Sequence, residues 1–298
     1  MIEDIRIQAA LIAAIVGMIG GIIGSFIKHF LDKKLLRHKL ETEYEYEERK
    51  KLRALIGRYH GRMLMAAERL NLRLWNLKRN ESRGWLSVSG NYGSTEDHYY
   101  FRSMVYRFVS LLNVIYLFQN EALYIDSRIA EGNELTFLKF AKSFEWVLTD
   151  SALFDGLDYD DTHQRDHFFT DNLRLICDSC TTDGDVMSLS EFQTRISNCK
   201  GEDPLRQLLD FFDGLCVDEK RLRWDRTVAF HLLIMAFINT FGYDMQKSTA
   251  QQFTDIAKSA KHQNVLNNLN TWLGKLGLEN EKEVDHIYTA VRAILPST

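Results

Sequence analysis

From Ile7 to Ile27 the chain reads IQAALIAAIVGMIGGIIGSFI, 21 residues without a charge. At about 1.5 Å of rise per residue such a helix is roughly 31 Å long, the thickness of a bilayer hydrocarbon core. A secretory signal peptide calls for a basic leader, a shorter apolar core and a small-residue cleavage site. Here the leader holds Glu3, Asp4 and Arg6, and the apolar run passes into Lys28, His29, Asp32, Lys33, Lys34, Arg37 and Lys39. A retained membrane-spanning helix is therefore expected, ahead of a signal peptide or a buried core helix. The basic flank predicts a single pass with the N-terminus outside and the remainder cytoplasmic.

The residue choice within the span adds a second constraint. Ala9, Ala13, Gly17, Gly21 and Ser25 recur every fourth position and form one ridge, with Gly20 and Gly24 beside it. Small residues at this spacing let helix backbones approach closely, and in lipid that packing drives association. Glycine is also simply more frequent in membrane helices than in soluble ones. The ridge runs the length of the span, which favours contact between copies of the chain. One helix per subunit cannot enclose a path, so a pore would need several copies.

Only Pro204 and Pro296 interrupt 298 residues, so long helices are free to form and an all-α protein is expected. The net charge of −4 is uneven: residues 28–80 carry 15 Lys/Arg against 7 Asp/Glu, whereas residues 81–298 hold about −11. The basic portion follows the span, where anionic lipids attract it. Lys28, His29, Lys33 and Lys34 are the candidates for a pore mouth or for headgroup contact. The acidic remainder gives little support for nucleic-acid binding.

The predicted layout is a transmembrane helix over 1–27, a stalk helix over 28–80, a loop over 81–97 and a helical cytosolic domain over 98–298. Glu41–Lys51 is almost wholly polar. Leu52, Ile56, Tyr59, Met63, Ala66, Leu70, Leu74 and Leu77 then step by threes and fours, either a coiled-coil seam or a helix packed on its own domain. Gly57 and Gly61 mark a place for a kink. Helices are expected over 98–128, 135–149, 161–179, 188–198, 204–216, 218–243, 264–276 and 279–294, with a further one capped by Ser248 or Thr249. Ser188 with Glu191 is a capping box, and Asp203-Pro204 a helix start. Thr227–Tyr243, 17 uncharged residues containing His231 and Asn239, is expected to be a buried central helix rather than a second span.

Chemical signals are fewer. His163 and His167 are one turn apart, and Cys177 and Cys180 have zinc-knuckle spacing, so four N/S ligands for a tetrahedral zinc are available. The order is unusual for a zinc motif, and thiols and histidines without metal remain the commoner outcome. Cys199 and Cys216 complete the four cysteines, all expected to be reduced in the cytosol. The acidic residues around Asp158 and the run Asp183-Gly184-Asp185 miss the EF-hand register. His98–Arg102 and Tyr106-Arg107 interleave aromatic and basic side chains, suited to nucleotide recognition or to an aromatic core with snorkelling arginines. Walker A, GxGxxG, GxSxG and HExxH are absent from the sequence, and no catalytic residues are assigned.

A Gly/Ala-rich span (Ile7–Ile27), a charged stalk (Lys28–Asn80) and a helical body together resemble the membrane effector subunits of bacterial antiphage defence systems. The resemblance is architectural and carries over no site residues. It implies an oligomeric effector that permeabilises or depolarises the cell inner membrane when its cytosolic domain meets a regulatory partner or small ligand. A membrane-tethered scaffold or sensor without a pore is the alternative of a different class.

Overall fold

The computed structural model describes residues 2–93, 98–162 and 167–294, with side chains described for Ile7 and from Leu11 onward. Ten α-helices and one short hairpin are present among these residues, so the chain is all-α. The first helix, α1 (Ile2–Arg79), is continuous through Gly57 and Gly61, and the kink expected there does not interrupt its hydrogen bonding. The chain divides within α1 into a unit ending at Lys51 and a body beginning at Leu52.

The predicted stalk over 28–80 is corrected by this division. Residues 28–47 are exposed throughout, as a solvated stalk should be. From Leu52 the apolar face is instead part of the body: Leu52, Leu55, Tyr59, Met63, Leu70, Leu74 and Leu77 are all buried. Tyr59 meets the Phe118 ring edge-on at 5.8 Å, and His60 stacks near Phe137 at 6.1 Å. The heptad-like spacing thus reports packing on the helix's own domain.

The body is built on α7 (Arg223–Phe241), whose residues from Arg223 to Asn239 are buried on every side. Around it lie α2 (Tyr99–Ala122), α3 (Gly132–Thr149), α8 (Ala250–Ala257), α9 (Gln263–Lys275) and α10 (Asp285–Ile294). Phenylalanines at helical spacing fill the α3–α7 seam. Phe237 lies 5.9, 5.6 and 5.6 Å from Phe137, Phe140 and Phe144, mostly edge to face.

The remaining helices are α4 (Thr170–Ser179), α5 (Leu189–Ser197) and α6 (Leu205–Phe212). The capping box at Ser188–Glu191 forms as predicted, and Thr249 caps α8. Helix α4 begins at Thr170 instead of Asp161, because the Asp160 carboxylate accepts from Thr162 N and Oγ1 in a turn. Helix α6 stops at Phe212 because Asp213 leaves the helical conformation and accepts from the backbone of Val88, Ser89 and Gly90. That carboxylate pins the segment after α1, in which Leu86, Val88 and Tyr92 are buried, and no strand forms there among the described residues. Between α4 and α5, β1 (Thr181–Thr182) and β2 (Asp185–Val186) pair antiparallel across Asp183-Gly184. Both turn residues have positive φ, 52° and 75°, the geometry for which Asp-Gly is suited.

His231, on buried α7, hydrogen-bonds Asn71 Oδ1 at 2.8 Å and meets the Trp75 ring edge-on. Burial, with a smaller contribution from the Lys78 charge, lowers its pKa to about 3. The unfolded chain therefore binds a proton that the folded chain refuses between about pH 6.5 and pH 3. The stability due to a neutral His231 is complete above 6.5 and falls by about 1.4 kcal/mol per pH unit below it. Urea unfolding of the detergent-solubilised chain, followed by tryptophan fluorescence at pH 7.5 and 4.5, should show that loss. His231→Gln, which keeps a donor for Asn71 but does not titrate, should show a smaller acid loss.

Candidate functional site

Two helices among the described residues are long and apolar enough to cross a membrane, α1 and α2. The apolar window of α2 is 72% buried inside the body, whereas that of α1 is fully exposed. Every described side chain between Ile7 and Ile27 is solvent-facing, including Leu11, Ile15, Ile19, Ile22 and Phe26. Among the described residues of the body, exposed large apolar side chains such as Leu72, Leu123, Tyr124 and Met245 are scattered along the sequence and form no comparable run. A continuous exposed apolar run of this length requires lipid or another apolar surface.

Ala13, Gly17, Gly21 and Ser25 follow one another at i, i+4 on this helix, and Gly20 and Gly24 lie alongside. No heavy atom lies within 4 Å of a Cβ built at Gly17, Gly20, Gly21 or Gly24, so the ridge is open to an approaching helix. The side chain of Ala9 lies outside the described residues. Lys28, His29, Lys33 and Lys34 are exposed on the same helix just beyond the span.

The three expected zinc ligands that lie among the described residues, His167, Cys177 and Cys180, are not gathered. His163 lies outside the described residues. His167 faces Tyr159, with its Nδ1 3.1 Å from the hydroxyl, and burial lowers its pKa. Cys177 and Cys180 are buried free thiols at the end of α4. Burial raises the pKa of both, Cys180 to about 11, so neither is a thiolate at neutral pH. Among the described residues no three His, Cys, Asp or Glu groups are placed to hold a metal ion. Asp185, in the second acidic cluster, pairs with Arg62.

A further site emerges that the sequence only half announced. A groove of about 340 Å³ opens between α1, α2 and the hairpin leading into α5. Arg62 and Arg69, two turns apart on α1, line one wall, and Arg107 on α2 lines the other. Arg107 donates to the Arg69 carbonyl at 2.8 Å, which draws its guanidinium across the gap. Partial burial, then the neighbouring Arg73 charge, lowers its pKa. Glu191 is occupied by the Ser188 amide at 2.7 Å. Tyr106 is fixed by its hydroxyl donating to the Met187 carbonyl, leaving Met65, Val114 and Met187 as apolar floor. Tyr106 and Arg107 were visible in the sequence as an aromatic–basic pair; their convergence with Arg62 and Arg69 is tertiary.

The buried thiols give a direct check. Brief alkylation of the native, detergent-solubilised chain at pH 8, read by peptide mass mapping, should leave Cys177 and Cys180 unmodified, and urea should expose both. Rapid native labelling of Cys177 would contradict this burial.

Comparison with protein families, curated proteins and solved structures finds no match.

Proposed function

We propose that the chain is an oligomeric single-pass effector of the inner membrane. Its apolar helix associates with copies of itself through the small-residue ridge, and its helical body, on the cytoplasmic side, controls permeabilisation or ion conduction. The observation that carries this reading is the run Ile7–Ile27, whose described side chains are exposed and which is unusually rich in glycine for a plain anchor. Leucine would serve an anchor better, since each glycine costs about 1 kcal/mol of helix propensity. Close helix–helix packing is what glycine offers in return. The basic residues after the span agree with a cytoplasmic body by the positive-inside rule. The architectural likeness to antiphage effector subunits supports a role in defence.

The ridge makes a sharp test possible. Gly17→Leu combined with Gly21→Leu keeps the span apolar and its length unchanged while removing the surface for close approach. In reconstituted bilayers the double variant should lose conductance, and in detergent it should shift towards monomer on size-exclusion chromatography with light scattering. A single-pass helix from an unrelated protein, grafted in place of residues 7–27, should also abolish conductance. Full cellular activity from that graft, or oligomers that keep membranes tight under every activating condition, would overturn the proposal in favour of a tethered scaffold.

A further inference from the structure

The groove is lined by Arg62, Arg69 and Arg107 against two carboxylates, Asp185 and Glu191, so its own fold neutralises its positive charge only in part. Of the three guanidiniums, Arg62 is paired with Asp185 of the hairpin. Among the described residues, neither Arg69 nor Arg107 lies within ion-pair distance of a carboxylate. Arg73, a few residues along α1, adds a third cation behind them. Its guanidinium is buried over the Tyr100 ring at 4.5 Å, its NH2 group donates to Ser103, and its Nε has no partner. Like charges drawn together with too few counter-ions cost free energy in a fold that has carboxylates available elsewhere. Glu121, Glu134 and Asp203 each pair with an arginine in the same body.

We propose that this groove binds a phosphorylated small molecule of about nucleotide size, with its phosphate held by Arg69 and Arg107. Two guanidiniums on neighbouring helices, Arg69 without a hydrogen bond and Arg107 with one donated to the Arg69 carbonyl, match the charge of a phosphate monoester, about −1.5 to −2 at neutral pH, better than that of a single carboxylate. Arginine's planar fork also suits bidentate contact with phosphate oxygens, where a lysine would offer a point charge. The volume, about 340 Å³, exceeds what a bare phosphate ion fills and falls in the range of small-molecule sites. Met65, Val114 and Met187 offer the apolar surface that the remainder of such a ligand would cover. A phosphate in this position would also compete with Asp185 for Arg62, loosening the one ion pair between the hairpin and α1 that lines the groove. On the reading proposed above, that competition is a route by which a ligand acts on the helix that carries the span; binding itself does not depend on that reading.

Isothermal titration calorimetry on the full chain in detergent decides the matter. The probes are pyrophosphate, AMP and ATP, with glycerol 3-phosphate as a soluble counterpart of a phospholipid headgroup. At least one should bind, and Arg69→Gln should weaken its Kd by about tenfold or more. Arg69 is the informative variant because its side chain makes no hydrogen bond among the described residues, so folding is spared. Arg107→Gln should weaken binding similarly, and Lys220→Gln, an exposed lysine away from the groove, should not. A nucleotide binding where glycerol phosphate fails assigns a soluble ligand; glycerol phosphate binding alone assigns a lipid headgroup to the same phosphate site. Absence of binding by all four probes at millimolar concentration overturns the proposal, as does binding unchanged by Arg69→Gln. Since conductance is not the readout, loss of the pore reading would leave this result standing.

Discussion

A helix buried on every side has no solvated face on which to leave its polar groups, and the body of this protein is organised around meeting that demand for α7. Thr227 and Thr240 bond back to carbonyls of α7 itself, whereas its buried charged residues, together with His231 and Asn239, are tied to other parts of the chain. Arg223 donates to the carbonyls of Asp210, Phe211 and Asp213 at the end of α6. Asp225 accepts from the backbone of Lys261 and His262 before α9. Fully buried Arg226 reaches the Val147 carbonyl on α3 and the Tyr159 hydroxyl, with its guanidinium 4.6 Å from the Phe154 ring centre. His231 meets Asn71 on α1, and Asn239 exchanges two hydrogen bonds with Ser248. A buried polar group left unsatisfied costs about 1–3 kcal/mol. These five residues therefore fix which elements surround α7 and in what register, while the phenylalanines of α3 supply the bulk of its apolar contact.

The same physics separates the two long apolar runs of the chain. That of α7 contains His231 and Asn239, each with a partner reached from another element, and Thr227 and Thr240, which bond carbonyls of the helix itself. The run from Ile7 to Ile27 contains only Gln8 and Ser25 as polar groups, and its described side chains are all solvent-facing. The first run is packed within its own fold, and the second carries its described apolar side chains exposed. The protein thus holds one helix satisfied by protein and one suited to lipid, distinguished less by hydropathy than by what their few polar residues can reach.

Local signals were the ones legible in the sequence. The long apolar N-terminal helix, the buried character of Thr227–Asn239, the capping box at Ser188–Glu191 and the cap at Thr249 all depend on residues within a few positions of one another. The division at Lys51 and Leu52 was not legible, because an apolar face stepping from Leu52 to Leu77 reads alike whether it meets a second copy or its own domain. The hairpin was missed although Asp183-Gly184 is a turn signal, since its two-residue strands are too short to show alternation. The pairing of His167 with Cys177 and Cys180 was proposed from spacing alone, and tertiary packing sent the histidine towards Tyr159 instead. The arginine groove failed to register for the opposite reason: Arg62 and Arg69 sit among many basic residues of α1, and only the approach of α2 singles them out.

The composition of α7 has a consequence for how the chain is made. If α1 delivers the nascent chain to a membrane, some two hundred residues later α7 emerges beside that bilayer with 17 consecutive uncharged positions. Its partners on α1, α2 and α3 are by then already synthesised, whereas α8, α9 and α10 are not. On that condition the fate of α7 is a competition between insertion and docking onto a half-finished body. Arg223, Asp225 and Arg226 sit together at the leading end of the helix, where charged groups are costly to carry into hydrocarbon. Residues that stabilise the folded core thereby also act earlier, as a barrier that keeps a core helix from being mistaken for a second span.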